Sequence, residues 1–386
     1  MTSIKNGLLV SATQGSGSVD GYKNMGDYIQ SIAPLAFFDN IDDIYVDKEK
    51  ISHYRSLAGK TRLVMNAWLM KYPENWPPSN DIIPLLISVH ISPQNASKLL
   101  SKAGIDYLKQ HGPVGCRDTA TLELLEKYEI PCYFSGCLTL TLGEKYKSEK
   151  TNDDVVFVDP YCEAHRNSEG KISARVVVQN ILYGLKNLRK VKKIMPIFEH
   201  AYCLAGKYVR LKKFLTVSAF YRTYSSKFDD NILFNASYVT HSLKIGKGTP
   251  YDTEALKLNY TENLIKRYAE ASLVVTSRIH CALPCLGIET PAIFVHAKAP
   301  GHVRAPGRFG GLYELFNVML CSGYTLSSEE SSLSGRIEFK TKLRNKEDYK
   351  PLRDNMIKRC KEFIALDIKS SDNDEQLNDV ESDGVV

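Results

Sequence analysis

The chain has 386 residues, of which 43% are hydrophobic and 24% charged, with a formal net charge of +6. This is a globular composition, and its length exceeds the ~250–300 residues at which a single core stops growing, so two domains are expected. No run approaches the ~18 apolar residues of a membrane span, the N-terminal apolar run is shorter than the ~7–15-residue core of a signal peptide, and nine cysteines without a CxxC argue for reduced thiols rather than a zinc or redox motif, so a cytoplasmic protein is expected.

Residues 7–12 (GLLVSA) predict a first strand. A polar, glycine-rich stretch follows, and Asn24-Met25-Gly26-Asp27 then opens a helix running to about Phe38. Asn24 or Asp27 can cap it, and Gly26 allows close backbone approach. Neither GxGxxG nor a P-loop is present, so a dinucleotide or nucleoside triphosphate fingerprint is excluded. Strands are predicted at 62–69 and 84–91, and a helix at 95–108. A short strand then leads into Arg117-Asp118, where Asp118 caps a helix through Lys127. Arg117 therefore stands at a strand-to-helix junction, where free backbone N–H groups favour anions. Residues 132–142 read as another buried strand region. Strand–helix alternation over this span predicts a doubly wound α/β fold.

The charged stretch 145–154 is the linker candidate, and Val155–Val158 opens a second α/β domain. Helices are predicted at about 174–188 and 253–270, with a basic amphipathic region over 186–215. Residues 271–300 predict a strand, a turn, a helix and a second strand. Thr276, Ser277, Arg278 and His280 fall in the turn, where such units place ligands at the carboxyl edge of the sheet. An arginine and a histidine there suit an anion; the plainer alternative is a structurally paired Arg278 and a helix-capping His280. A glycine-rich loop at 301–311 carries Arg304 and Arg308, which read either as a lid over a phosphate or as solvated loop residues. A helix is predicted at 351–365. The tail from Ser371 has six acidic residues and no basic ones, so removing it from +6 leaves +12 on the remainder. That excess fits anionic substrates or anionic lipid. No RNP-like or helix-turn-helix signature accompanies it, so no nucleic-acid partner is expected.

Three segments together resemble one family, the polysaccharide pyruvyl transferases: Asn24-Met25-Gly26-Asp27, Arg117-Asp118, and Ser277-Arg278-Ile279-His280 with Gly287 and Pro291 after it. Asn66-Ala67-Trp68 is similar to a segment that reads Asn-Gly-Trp in some members. The resemblance implies a GT-B-like fold, with two Rossmann-like doubly wound domains facing a central cleft. On that division, residues 1–148 form the acceptor side and 149–350 the phosphoenolpyruvate side. Residues 351–368 form a helix packing back on the first domain, and 369–386 a disordered acidic tail. The resemblance also implies that phosphoenolpyruvate donates a pyruvyl group to two hydroxyls of a sugar in a surface polysaccharide or its lipid-linked precursor. The products are a cyclic ketal and phosphate.

Guanidinium groups bind phosphate and carboxylate in bidentate fashion, so Arg278 and Arg117 are expected to clamp phosphoenolpyruvate across the cleft. By resemblance, Arg278 and His280 match the family's donor-binding Arg-x-His and Arg117 its Arg-Asp. His280 is expected to be the general acid or to stabilise the leaving phosphate, and Asp27 reads equally as a base toward the acceptor or as a cap. Ser277, Asn24, Gly26 and Asn66 complete the expected binding set, with Lys298, Arg304 and Arg308 from the following loop. Phosphoenolpyruvate is a co-substrate, and neither cofactor nor metal is expected. The basic stretch reads either as a solvated face or as a contact with a membrane bearing a lipid-linked sugar. Two competing functions remain: a nucleotide-sugar glycosyltransferase of the same fold, and a non-catalytic anion- or glycan-binding protein. Neither the acceptor sugar nor the oligomeric state follows from the sequence.

Overall fold

The computed structural model describes residues 4–12, 21–39, 41–57, 59–67, 72–164, 173–204, 208–246, 248–297 and 309–366. Its first half alternates strand and helix. The strands are β1 (Lys5–Val10), β2 (Tyr22–Asn24), β3 (Ile44–Asp47), β4 (Thr61–Met65), β5 (Ile82–Leu86), β6 (Val114–Cys116) and β7 (Cys132–Phe134). The helices are α1 (Met25–Ile32), α2 (Ala96–Leu99), α3 (Lys102–Gln110), α4 (Thr119–Glu126) and α5 (Gly143–Tyr146). Parallel pairing gives the order β3-β1-β4-β5, and a parallel bridge from Val89 to Cys116 carries it on to β6 and β7.

The second half contains β8 (Val155–Val158), β9 (Ser237–Val239), β10 (Ser242–Lys244), β11 (Leu273–Thr276), β12 (Ala292–Ala297), β13 (Asn317–Ser322) and β14 (Thr325–Ser327). Its helices are α6 (Ala174–Lys186), α7 (Leu188–Ile194), α8 (Val209–Tyr224), α9 (Asp230–Asn235), α10 (Glu254–Glu270), α11 (Ile279–Gly287) and α12 (Lys350–Ala365). The sheet order is β14-β13-β12-β11-β8-β9, parallel throughout except for the β13–β14 hairpin. In both sheets the first strand lies inside, the second pairs on one flank and the third on the other. That reversal is the topological switch point, beside which open α/β sheets bind ligands.

Burial on both faces follows from the strand sequences. Val156, Val158 and Val274 face one side, while Val155, Phe157, Leu273 and Val275 face the other, by the two-residue period of a strand. In the first sheet Leu8 and Val10 face inward and Leu9 outward. The inward sets of both sheets belong to one apolar cluster, which also takes Ile29, Leu264 and Leu283 from α1, α10 and α11. The join is backbone as well as side chain. β2 pairs antiparallel with β10, and Met25 N donates to His241 O at 2.7 Å. Helix α12 lies on the first sheet: Ser88 Oγ donates to Met356 Sδ at 3.5 Å, Arg62 Nη2 to Leu366 O at 2.8 Å, and Arg359 covers the Tyr133 ring.

Several predicted boundaries shift for local reasons. The helix expected at 95–108 is two helices, because Ser101 caps α3 through its hydroxyl and ends α2. The strand region at 132–142 stops at Phe134, where Gly136 takes a positive φ of 68°, and continues as a 3-10 turn at Leu138–Thr141. All nine cysteines are free thiols. Among the described residues no helix is long and apolar enough to cross a membrane. Trp68, Lys298, Arg304, Arg308 and the acidic tail 369–386 lie outside the described residues.

Candidate active site

The switch point of the second sheet lies between the carboxyl ends of β8 and β11, where Asp159 and Thr276-Ser277-Arg278 emerge. Asp159 is 1% exposed and sits at a positive φ of 41°. One carboxylate oxygen accepts from Ala201 N at 2.9 Å, and the other from His241 N and Arg278 Nε, both at 3.0 Å. Burial pushes this carboxyl up, but the charges of Arg278, His200 and His241 and the His241 amide outweigh it, holding the group down at about 2. Asp159 is therefore a fixed anion, and Arg278 is the cation it aims. The Arg278 side chain remains 39% exposed, so its guanidinium is held at one nitrogen while still reaching solvent. Its backbone N donates to Thr276 Oγ1 at 2.9 Å, and Ser277 Oγ donates to Asp159 O at 2.6 Å, which closes the turn. The structural pairing of Arg278 and a position open to a ligand thus coexist.

His280, the second residue of α11, has ψ 19°, outside helical geometry. Pro284, four residues on, explains this, since a proline has no N–H for the carbonyl of residue 280 and its ring crowds that carbonyl. The result is a loosened first turn that carries an imidazole. Facing it is the start of α1: a Cβ placed on Gly26 would lie 3.3 Å from His280 Cβ and 3.2 Å from Asn24 Oδ1. Gly26 thus allows the start of α1 to approach His280 closely, so a larger residue there would push that neighbour aside. Asn24 is the cap of α1, accepting from Gly26 N at 3.1 Å. That settles the choice between Asn24 and Asp27 and leaves the Asp27 carboxylate for another use.

Asp27 lines a small pocket at the switch point of the first sheet, with Ser11, Gln30, Lys48 and Asn66. Asn66, 2% exposed, donates from Nδ2 to Gln30 O at 2.8 Å, and Gln30 Nε2 donates back to Asn66 O at 3.3 Å. Its amide thus ties the end of β4 to α1 while forming part of the pocket wall.

Arg117 belongs to a separate cluster. It is 5% exposed, with Nη2 3.7 Å from Asp118 Oδ2, and the same oxygen meets His90 Nδ1 at 2.5 Å. Asp118 Oδ1 caps α4 by accepting from Thr121 N at 3.0 Å. Burial raises the Asp118 carboxyl, but the His90 hydrogen bond and the His90 and Arg117 charges bring it below the ordinary carboxylate value. The loop beyond β12 reaches this helix start, with Thr119 N donating to Gly310 O at 3.2 Å.

The structure thus brings together Asn24, Gly26, Ser277, Arg278 and His280. Asp27 and Asn66 line the neighbouring pocket, and Arg117 sits in its own ion-pair cluster. Sequence reasoning missed Asp159, although an acid directly after an apolar strand and before Pro160 is a readable signal. It also missed His200 and His241, whose loops carry no comparable mark.

Two parallel sheets of Rossmann-like order, with an arginine and a histidine at the carboxyl edge of one and a glycine helix start against them, define an α/β protein with a site at its switch point. A family model described as polysaccharide pyruvyl transferase matches residues 24–296, and the chain belongs to that family. That span contains the Asn24 helix start, Arg117 and the Arg278–His280 turn. No curated protein and no solved structure matches the chain.

Proposed function

We propose that this transferase moves the pyruvyl group of phosphoenolpyruvate onto two hydroxyls of a sugar, forming a cyclic ketal and releasing phosphate. The observation that carries the reading is Arg278, aimed by the buried Asp159 carboxylate at a switch-point edge beside His280. A partly exposed guanidinium on a fixed anion is a preorganised site for a small, dense anion. Arg278 holds the phosphate or carboxylate of the donor, and Arg117, from the other sheet, is the second cation.

One sugar hydroxyl adds to C2 of the enol ester while a proton arrives at its methylene carbon. The second hydroxyl displaces phosphate from C2. Two hydroxyl protons are lost, one proton enters the new methyl group, and one leaves with phosphate. His280 supplies the proton or stabilises the departing phosphate, and Asp27, in the first-sheet pocket, accepts a hydroxyl proton. The sheets divide the work accordingly, with residues 1–148 on the acceptor side and 149–350 on the donor side. Lys298, Arg304 and Arg308 belong to the loop proposed to approach the donor phosphate.

The test is incubation with phosphoenolpyruvate and a panel of sugars, following phosphate release and the mass gained by the sugar. A pyruvyl increment less water supports the reading. Release of nucleotide from a nucleotide sugar, with no response to phosphoenolpyruvate, would replace it with glycosyl transfer.

A further inference from the structure

We propose that α6 and the first turn of α8 form a docking surface for an anionic lipid membrane. Helix α6 has a buried face and a bare one. Asn180 and Gly184 face inward: Asn180 Nδ2 donates to Glu163 O at 2.8 Å and Ala164 O at 3.0 Å, and a Cβ on Gly184 would lie 2.2 Å from Ser218 Oγ of α8. The opposite face carries Val178, Leu182 and Leu185, at 53%, 62% and 56% exposure. Their spacing is that of one helical stripe, which Arg175 continues one turn earlier, while Arg189 follows on α7 beyond the break at Asn187. Helix α8, packed against α6, adds Tyr208 just before its start, at 76% exposure, followed by exposed Val209 and Leu211.

This clustering is not ordinary scatter. Of the thirteen strongly exposed large apolar side chains among the described residues, seven fall between Val178 and Leu211. An exposed apolar stripe of this kind marks a partner.

Charge identifies the partner. Residues 173–195 carry six lysines and arginines and no acid, and residues 208–225 carry four and no acid. Arg175, Lys186, Arg189 and Lys192 form no ion pair among the described residues. An apolar stripe with cations on its flanks is the pattern of a helix lying in a lipid interface, its leucines below the headgroups and its cations among anionic ones. A tyrosine at the edge suits the same depth. A second copy fits poorly, because a two-fold contact would set cations against cations. Nucleic acid fits poorly as well, because phosphates offer nothing to exposed leucines. The buried face of the same helix is tied to the segment that follows Asp159, through Asn180 Nδ2 to Glu163 O and Ala164 O. Docking itself does not depend on the transfer reaction.

The test is sedimentation of the full-length protein with vesicles of phosphatidylcholine alone and of phosphatidylcholine with phosphatidylglycerol. Binding is expected only to the anionic vesicles. The double variant Leu182→Ser with Leu185→Ser, at exposed positions that leave the thermal melt unchanged, should bind them at least ~tenfold more weakly, the change that about 1.4 kcal/mol produces. Arg189→Glu with Lys192→Glu should lose binding as well. Wild-type protein that stays in the supernatant, or serine variants that bind like wild type, would overturn the proposal. So would a wild-type dimer that the serine variant converts to monomer, since a second copy would then cover the stripe.

Discussion

The two sheets share one topology and differ at their switch points. The edge of the second sheet is charged and rigid: Asp159, buried and held near 2, meets Arg278 and two backbone amides within 3.0 Å. The edge of the first sheet is milder, a small pocket of Ser11, Gln30 and Asn66 with Asp27 and Lys48. Hydroxyls and amides suit a hydroxyl-rich ligand, whereas a preorganised ion pair suits a compact anion. Identical strand order therefore leaves two edges that differ only in the residues just past each strand.

Substitutions can break or sharpen this contrast. The largest effect is expected at His280: replacement by Gln should leave a folded protein with pyruvyl transfer lowered ~10²–10⁴-fold, and near-normal turnover would remove it from the mechanism. Next is Arg278→Lys, which trades a planar fork for a point charge; kcat/KM for phosphoenolpyruvate should fall ~10²-fold while the KM for the sugar stays level. Asp27→Asn tests the other edge and should lower kcat ~10-fold or more with the donor KM unchanged. A shift in donor affinity instead would place Asp27 with the anion.

Asp159 links the charged edge to stability. Its folded value lies below the ordinary 3.8, at about 2, so its stabilisation is complete above pH ~4 and disappears as the pH falls through that window. Acid titration of unfolding should show about 2 kcal/mol of loss from this group there, and Asp159→Asn should remove that share of the acid limb while lowering stability at neutral pH by about 2–4 kcal/mol. An unchanged acid limb in the variant would mean the carboxylate is not held as described. The smallest effect is expected for Gly26→Ala, whose new methyl meets His280 Cβ at 3.3 Å, so about 1–3 kcal/mol of overpacking should appear in the melt.

Much of this was legible in the chain. The apolar runs of β1, β8, β11 and β12 are the ones a buried parallel sheet requires, and the Arg278–His280 turn falls at a strand end because Thr276 closes an unbroken apolar run. Asp118 was readable as a cap because a short polar acceptor stands just before the first helical residue, Thr119. The kink at His280 was also readable, from Pro284, and went unread. Other features depend on contacts between distant segments. Nothing near Asn24 announces that β2 will pair with β10 or that Gly26 will meet His280. Nothing near His241 announces that its amide serves Asp159 while its carbonyl serves Met25. The choice between Asn24 and Asp27 as cap turns on side-chain direction, which periodicity does not encode.

The pairing of β2 with β10 has a consequence for how the protein is made. The Asn24 helix start is synthesised early, but its partners, the His241 carbonyl and the first turn of α11, come late in the chain. Contacts between such remote segments form slowly, after the local ones. On a ribosome β2 therefore waits with an unpaired edge until β10 has emerged, and the site is completed only once the first turn of α11 is released. A chain cut before Ser242 would leave that edge open, and a chaperone or an aggregate would compete for it.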